Sequence, residues 1–360
     1  MSKANVLASL ATDANELTSL ADQISEIEGA IEQANTNFHA IQSLPEIPEI
    51  PPPVLSFRNK IINGNFAIWQ RATSQTTTGW GSADRWRLNL VSSGTATLSQ
   101  QSFDVGQTEV PGNPKYYVRA EPVTNSSSAE NISIRQSIEG VETLAGQTAT
   151  LSFWAKADSN KNIATEFFQL FGGGGSAQTS INPTTHSLTT SWQKFTTTFS
   201  VPSISGKTVG SNNWMGFAFF LSAGSDYDSR TNSLGNQSGT FDIAQVQLEE
   251  GEVATPFEHR PLTLELNLCQ RYFLKAWAST YGNNDAGYSS TGVIYFPVEM
   301  RIQPTSTLLQ IVQSGTRYKT DTTGFWSHGP PYNSILVWSI AQESGGNDGY
   351  QALCSFDAEL

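Results

Sequence analysis

Hydrophobic residues in the first 41 positions recur at the alternating three- and four-residue spacing of a heptad repeat. One series runs every seven residues from Leu10 to Phe38, and a second series fills the other core position, where Asp13 is a polar interruption. Isoleucine at both core positions favours three helices over two. We therefore predict a trimeric coiled coil over 1–44, and its core residues include Leu17, Leu20, Ile24, Ile27, Ile31, Phe38 and Ile41. The alternative is an amphipathic helix that lies on the chain's own globular domain.

The periodic pattern stops at a proline-rich segment, which reads LPEIPEIPPP from Leu44 to Pro53. Proline lacks the backbone donor that helices and sheets need, so such a run favours an extended polyproline II conformation. We predict a semi-rigid linker over 45–57, about 30 Å long at about 3.1 Å per residue. A ligand of an SH3-type domain is the alternative interpretation of this segment.

From Phe57 onward, short runs alternate apolar and polar residues, and turn-forming residues separate them. ATLSFWAKA (149–157), QKFTTTFSV (193–201), MGFAFFLSA (215–223) and DIAQVQLEEG (242–251) are examples. Strands at this spacing, with no amphipathic helix between them, predict a mainly β protein. We expect an antiparallel β-sandwich of the jelly-roll type over 58–262 and a second, smaller β-domain over 263–360.

Composition and charge narrow the set of partners. The net charge is −12, and the first 53 residues carry one lysine against eight acidic residues. Nucleic acid is therefore excluded as an expected partner, because phosphate binding needs clustered Lys and Arg. We also predict no membrane insertion and no secretory signal, because the sequence lacks the apolar stretch that either would need. Cys269 and Cys354 are then expected to be reduced thiols in a cytoplasm.

The sequence gives little support for catalysis. The four histidines are scattered, and FGGGGS at 171–176 lacks the Lys and the helix of a phosphate-binding loop. Four glutamates that stand near glycines are expected to be solvated turn residues, namely Glu139, Glu142, Glu249 and Glu250. We therefore predict that the chain is not an enzyme and that it has no catalytic residues.

Sugar binding has better candidates. Trp154 alternates onto the polar side of its strand, opposite Leu151 and Phe153. An exposed ring can stack on a pyranose, and neighbouring amides can bridge its hydroxyls. We predict a glycan-binding face made of Trp154, Gln136, Gln169, Gln245 and Gln247, provided that their strands are neighbours. The alternative is that a loop or the second domain covers Trp154.

Several ordered motifs between Lys60 and Phe273 carry a family resemblance. These are NKIINGNFAIWQRATS, GWGSADRWRL, IRQSIEGVETLAGQTATLSFWAKA, LTTSWQKFTTTFSVPSISGKT, IAQVQLEEGEVATPFEHRP and LCQRYF. Together they resemble the head region of bacteriophage tail-fibre and related virion appendage proteins. The resemblance implies a virion-surface fibre that is assembled in the bacterial cytoplasm. It also implies that the N-terminal segment attaches to another virion protein and that the head adsorbs to a bacterial surface glycan.

The same resemblance leaves two alternatives open. One is a purely structural capsid or neck decoration fibre without a specific ligand. The other, more remote, is a polysaccharide depolymerase, which would need two carboxylates facing each other across a cleft.

The sandwich also resembles carbohydrate-binding modules, which open with an Asn-Gly-x-Phe turn and close with a strand carrying an Asp. Asn63, Gly64 and Phe66 match that turn, and the resemblance to virion appendage proteins predicts that Asn63-Gly64-Asn65 leads into a first strand over 66–69. Such modules often hold a structural calcium through an acidic residue after the Phe, where this chain has Ala67. We therefore predict no cofactor and no metal, with Asn65 and Asp242 as the remaining calcium candidates.

Overall fold

A computed structural model describes residues 2–42, 57–283, 289–314, 324–326, 330–340 and 347–359. The chain divides into two compact units, Met1–Val54 and Leu55–Leu360. The predicted proline-rich linker lies outside the described residues, except for its last position, Phe57.

The first unit contains a single described helix, α1 (Lys3–Gln42), which confirms the predicted helix. The seam residues Leu17, Ile27 and Phe38 are more than half exposed in the isolated chain. The trimeric assembly stays a prediction, because the structure contains one chain. None of the described helices combines the length and hydropathy that a bilayer crossing requires.

The second unit is mainly β and begins with an antiparallel β-sandwich, as predicted. Within the described residues, its sheets have the strand orders β1-β3-β4-β11-β6-β9 and β2-β5-β10-β7-β8. The strands are β1 (Ser74–Gln75), β2 (Arg87–Val91), β3 (Thr95–Ser102), β4 (Tyr116–Val123), β5 (Asn131–Glu139), β6 (Thr148–Ala157), β7 (Lys161–Leu170), β8 (Thr179–Leu188), β9 (Gln193–Ser200), β10 (Trp214–Ala223) and β11 (Phe241–Glu250). A short helix, α2 (Asp228–Thr231), lies between β10 and β11.

The core of this sandwich lies between the two sheets and is rich in aromatic rings. Phe153 of the six-stranded sheet meets Phe219 of the five-stranded sheet edge to face, with ring centroids 4.8 Å apart. Trp86 is fully buried beside them, and its Nε1 donates a 3.0 Å hydrogen bond to the carbonyl oxygen of Asn63. Burial of these large rings supplies much of the driving force for folding.

The opening segment after the linker corrects one expectation. Residues 66–69 do not form a strand, and the first strand begins at Ser74. Asn63 instead organises a loop: its side chain accepts a hydrogen bond from the N–H of Ile68 and donates to the carbonyl oxygens of Ile68 and Asp84. Gly64 lies so close to β11 that an added Cβ would stand 2.1 Å from the carbonyl oxygen of Val246. The glycine is therefore required by close packing against β11.

The chain continues through α3 (Leu262–Gln270) into a smaller set of strands with its own hydrophobic core, which includes Phe296, Cys354 and Phe356. These strands are β12 (Phe273–Asn283), β13 (Ser289–Tyr295), β14 (Thr305–Ser314), β15 (Gly324–Trp326), β16 (Ser334–Ile340) and β17 (Asn347–Asp357). They form two antiparallel sheets with the orders β12-β17-β14 and β13-β16-β15.

Candidate functional site

A cleft of about 480 Å³ lies on the outer face of the six-stranded sheet. The residues that give it chemical character are Ser152, Trp154, Lys194, Gln245, Phe257 and His259. We call this feature the Trp154 cleft. It combines aromatic surface with hydroxyl, amide, imidazole and ammonium groups, and no carboxylate lines it among the described residues.

Trp154 reaches the cleft because of the alternation in β6. Leu151 and Phe153 are fully buried in the core, whereas Trp154 is half-buried on the opposite face. Its partner in the neighbouring strand β9 is Lys194, which is exposed. Beneath the ring lies a second apolar cluster that includes Trp192 and Ala244. The ring is therefore supported from below and partly open to solvent.

A bulge in β11 brings Gln245 into the same cleft. The pairing of β11 with β6 shifts register between Ala244 and Gln247, and Gln245 has a positive φ of 48°. Its Nε2 donates a 2.7 Å hydrogen bond to the carbonyl oxygen of Pro111. The bulge also changes the expected alternation, because Ala244 joins the outer cluster while Val246 and Leu248 face the core. Bulges commonly re-aim side chains next to functional sites.

All four predicted glutamines are buried, since Gln245 itself is only 4% exposed, and the single polar face that we expected does not form. Gln136 and Gln169 belong to β5 and β7, which lie in the other sheet. Gln136 exchanges hydrogen bonds with the backbone of Ile62, at 2.8 and 2.9 Å. Gln169 is fully buried, and its Nε2 donates to the carbonyl oxygen of Pro202.

Gln247 lies in the same six-stranded sheet as Trp154, but the segment after β11 covers its side chain. The side chain is fully buried, donates to Glu249 at 2.8 Å and accepts a 2.7 Å hydrogen bond from the N–H of Glu258. Glu249 is also buried, and it accepts hydrogen bonds from the N–H and the hydroxyl of Thr255. The prediction of a solvated turn carboxylate is therefore wrong for Glu249, because the chain folds back over it.

The sequence analysis missed four cleft residues, namely Ser152, Lys194, Phe257 and His259. The ring centroids of Phe257 and His259 are 5.1 Å apart, and an added Cβ at Gly112 would stand 2.5 Å from Nε2 of His259. The loop at Gly112 therefore passes close to the imidazole, and Gly112 also has a positive φ of 80°. Partial burial lowers the pKa of His259, which favours a neutral ring at pH 7.

The remaining calcium candidates do not fit a metal site. Both carboxylate oxygens of Asp242 accept hydrogen bonds from Arg119, at 2.7 and 2.9 Å. The side-chain oxygen of Asn65 accepts a 3.3 Å hydrogen bond from the N–H of Ala67. In the part of the chain that the structure describes, no group of three His, Cys, Asp or Glu side chains is arranged to hold a metal ion.

Comparison with known proteins was made at the level of sequence and of fold. No protein-family model and no curated protein matches the sequence. Among solved structures, a family 11 carbohydrate-binding module from Clostridium thermocellum, in complex with a mixed-linked tetrasaccharide, covers 51% of this chain and 98% of its own, with 11% identity and a TM-score of 0.32. A putative sugar-binding protein from Bacteroides thetaiotaomicron covers 54% of this chain and 100% of its own, with 15% identity and a TM-score of 0.34.

A third similar structure is the enzymatically active domain of tailspike protein 4 from bacteriophage CBA120. It matches 54% of this chain and 22% of its own, with 12% identity and a TM-score of 0.30. At these identities and TM-scores the likenesses do not assign a function to this chain.

Proposed function

We propose that the chain is a virion fibre protein whose β-sandwich binds a bacterial surface glycan through the Trp154 cleft without cutting it. The observation that carries this proposal is the half-buried Trp154 ring beside Gln245 in an open cleft of about 480 Å³. That volume matches a small-ligand site, in which apolar walls and a few placed polar groups hold the ligand. The ring offers a stacking surface, and the exposed side chains of Lys194 and His259 offer hydrogen-bonding groups for sugar hydroxyls.

The helix supplies the second part of the proposal. The exposed apolar seam of α1 packs against two further copies, so that each fibre carries three sandwich domains. A single shallow cleft would bind weakly, with a dissociation constant of about 0.1–1 mM by affinity arithmetic. Three clefts on one fibre raise the effective affinity by about 10²–10⁴ when they engage together.

The acidic N-terminal segment attaches the fibre to another virion protein in this proposal. The supporting observation is the negative charge of the first 53 residues, which contain eight acidic residues and one lysine. A chain shortened to begin at Val54 should fold, because Leu55–Leu360 form a compact unit of their own. We expect that this chain is not incorporated into particles. Normal incorporation would place the attachment elsewhere.

Adsorption of the intact protein to host cells tests the proposed function. A Trp154→Ala variant should adsorb at least about tenfold less, since loss of one stacked ring removes about 0.5–1.5 kcal/mol per cleft and the loss is repeated in all three clefts. Trp277→Ala is the matched control, because Trp277 is an exposed tryptophan of β12, outside the cleft. Equal adsorption by the two variants favours a purely structural fibre. Release of reducing ends from the polysaccharide favours a depolymerase.

A further inference from the structure

A row of charged residues crosses the outer face of the five-stranded sheet, away from the Trp154 cleft. Arg87 of β2 lies directly opposite Arg135 of β5, and Arg135 lies opposite Ala218 of β10. Ala218 in turn pairs with Glu166 of β7, so these side chains share one face of the sheet. We call Arg87, Asn89 and Arg135 the arginine pair site, because Asn89 is two residues along from Arg87 on the same face.

In the described part of the chain no acidic side chain contacts either arginine, although Glu166 attracts Arg135 from a distance. Among the described residues, neither Arg87 nor Arg135 forms an ion pair, whereas the nearby Arg230 pairs with Glu166 at 2.6 Å. Glu166 is the nearby carboxylate, and both its oxygens accept hydrogen bonds from Arg230, at 2.9 and 2.6 Å. Because Glu166 is paired with Arg230, the positive charges of Arg87 and Arg135 face each other without an ion-pair partner among the described residues. Like charges directly opposite each other on neighbouring strands destabilise a sheet.

The pKa of Arg135 is lowered by its surroundings. Burial, followed by repulsion from Arg230 and Arg87, lowers the pKa of Arg135 to about 10. Its Nε donates a 3.0 Å hydrogen bond to the hydroxyl of Ser133, and its guanidinium lies 5.7 Å from the centroid of the Phe220 ring. These contacts hold the side chain in place but bring no negative charge to it.

Unpaired donors beside Arg87 point to a missing acceptor. Asn89 is 6% exposed, and its Nδ2 has no hydrogen-bond partner. Its side-chain oxygen accepts a 3.3 Å hydrogen bond from Nη1 of Arg87, so the unpaired amide group lies next to the guanidinium. Nε of Arg87 is buried without a partner as well. Leaving buried donors without acceptors is destabilising, and an incoming oxyanion would supply the missing acceptors.

We propose that the arginine pair site binds an oxyanion group, a carboxylate or a phosphate, carried on an acidic saccharide. The guanidinium groups of Arg87 and Arg135 supply fork-shaped donors that match such oxygens, and Nδ2 of Asn89 supplies a further donor. Trp80 flanks the site, since the guanidinium of Arg87 lies 5.2 Å from the centroid of its ring. The inference of an oxyanion is drawn from the arginine pair site alone. The inference that a saccharide carries this oxyanion rests on the proposed function.

The test uses the full chain at low salt with three probes, namely a galacturonic acid trimer, the uncharged galactose trimer and inorganic phosphate. We expect the galacturonic acid trimer to raise the thermal midpoint of the wild-type protein more than the uncharged galactose trimer does. Arg135→Gln should weaken binding of the acidic trimer at least about tenfold, because a charge-assisted pair of hydrogen bonds is lost. Lys115→Gln, which removes an exposed charge elsewhere, should bind as the wild type does.

A second variant keeps the proposal testable if Arg135→Gln fails to fold. Asn89→Asp places a carboxylate beside Arg87, so it should raise the thermal midpoint of the ligand-free protein and abolish the response to the acidic trimer. Trp154→Ala should retain that response, which separates this site from the Trp154 cleft. An equal response to inorganic phosphate would support the oxyanion site and overturn its saccharide part. No response of the wild type to either anion, or an undiminished response in both site variants, would overturn the proposal.

Discussion

The guanidinium of Arg85 pairs with the carboxylate of Glu359, and this contact ties the end of the chain to the loop before β2. Both side chains are almost fully buried, at 1% and 2% exposure. The Arg85 guanidinium also lies 3.4 Å from the centroid of the Tyr272 ring and donates to the carbonyl oxygen of Ser137. The two hydrophobic cores of the second unit are therefore joined by a buried polar contact, whose loss would leave an uncompensated charge.

The first prediction concerns this buried pair. Glu359→Gln should lower the free energy of unfolding by about 3–5 kcal/mol, because it leaves Arg85 buried without its counter-charge. Denaturant unfolding measures the change, and Glu252→Gln, at an exposed position, serves as the control. An unfolding free energy that stays within about 0.5 kcal/mol of the wild type would contradict this account of the interface.

The second prediction concerns acid stability and rests on His186 of β8. The imidazole is 6% exposed, lies between Phe153 and Phe195, and its Nε2 is 3.0 Å from the hydroxyl oxygen of Thr165. Burial lowers its pKa to about 4 in the folded protein, below the unfolded value of 6.5. The unfolded chain therefore binds the proton more readily, so stability is full above pH 6.5 and is lost as the pH falls toward 4.

The expected loss from this single group is about 3 kcal/mol between pH 6.5 and 4. His186→Gln keeps a hydrogen-bonding group near Thr165 but cannot be protonated, so its unfolding free energy should fall less over the same range. His39→Gln, on the exposed surface of α1, should behave as the wild type does. Identical pH profiles for His186→Gln and the wild type would exclude His186 as the cause.

The third prediction is the trimer. Light scattering on the intact protein should give about three times the chain mass of 39.1 kDa. Replacing Ile27 and Ile31 by Asp should dissociate the assembly, because unpaired charges would be buried in the seam. Ser25→Asp, on the polar side of α1, should leave the mass unchanged. A monomeric wild-type protein would remove the multivalency from the proposed function.

Local patterns in the sequence were sufficient to predict α1 and the antiparallel sandwich. The alternation of Leu151 and Phe153 with Trp154 correctly separated the core from the outer face, because neighbouring side chains of a strand point to opposite sides. The helix followed from the heptad spacing in the same way. The strand alternation and the heptad spacing both depend only on residues that are close together in the sequence, so they can be recognised without the structure.

The site was only partly predictable, because its composition depends on contacts between distant segments. Gln136 was assigned to the face of Trp154, but the sheet that a strand joins is set by pairing partners that local alternation does not reveal. Gln247 is covered by residues that fold back after β11. Gln245 enters the Trp154 cleft through a bulge in β11, beside the point where Gly64 approaches Val246.

Binding of purified host surface polysaccharide to the intact protein tests the central claim most directly. Titration calorimetry should detect binding for the wild type and for Trp277→Ala, with about 10²–10⁴ tighter apparent affinity than for the sandwich domain without α1. Trp154→Ala should bind at least about tenfold more weakly, with an unchanged circular dichroism spectrum. Undiminished binding by a folded Trp154→Ala protein would contradict the assignment of the Trp154 cleft as the glycan site.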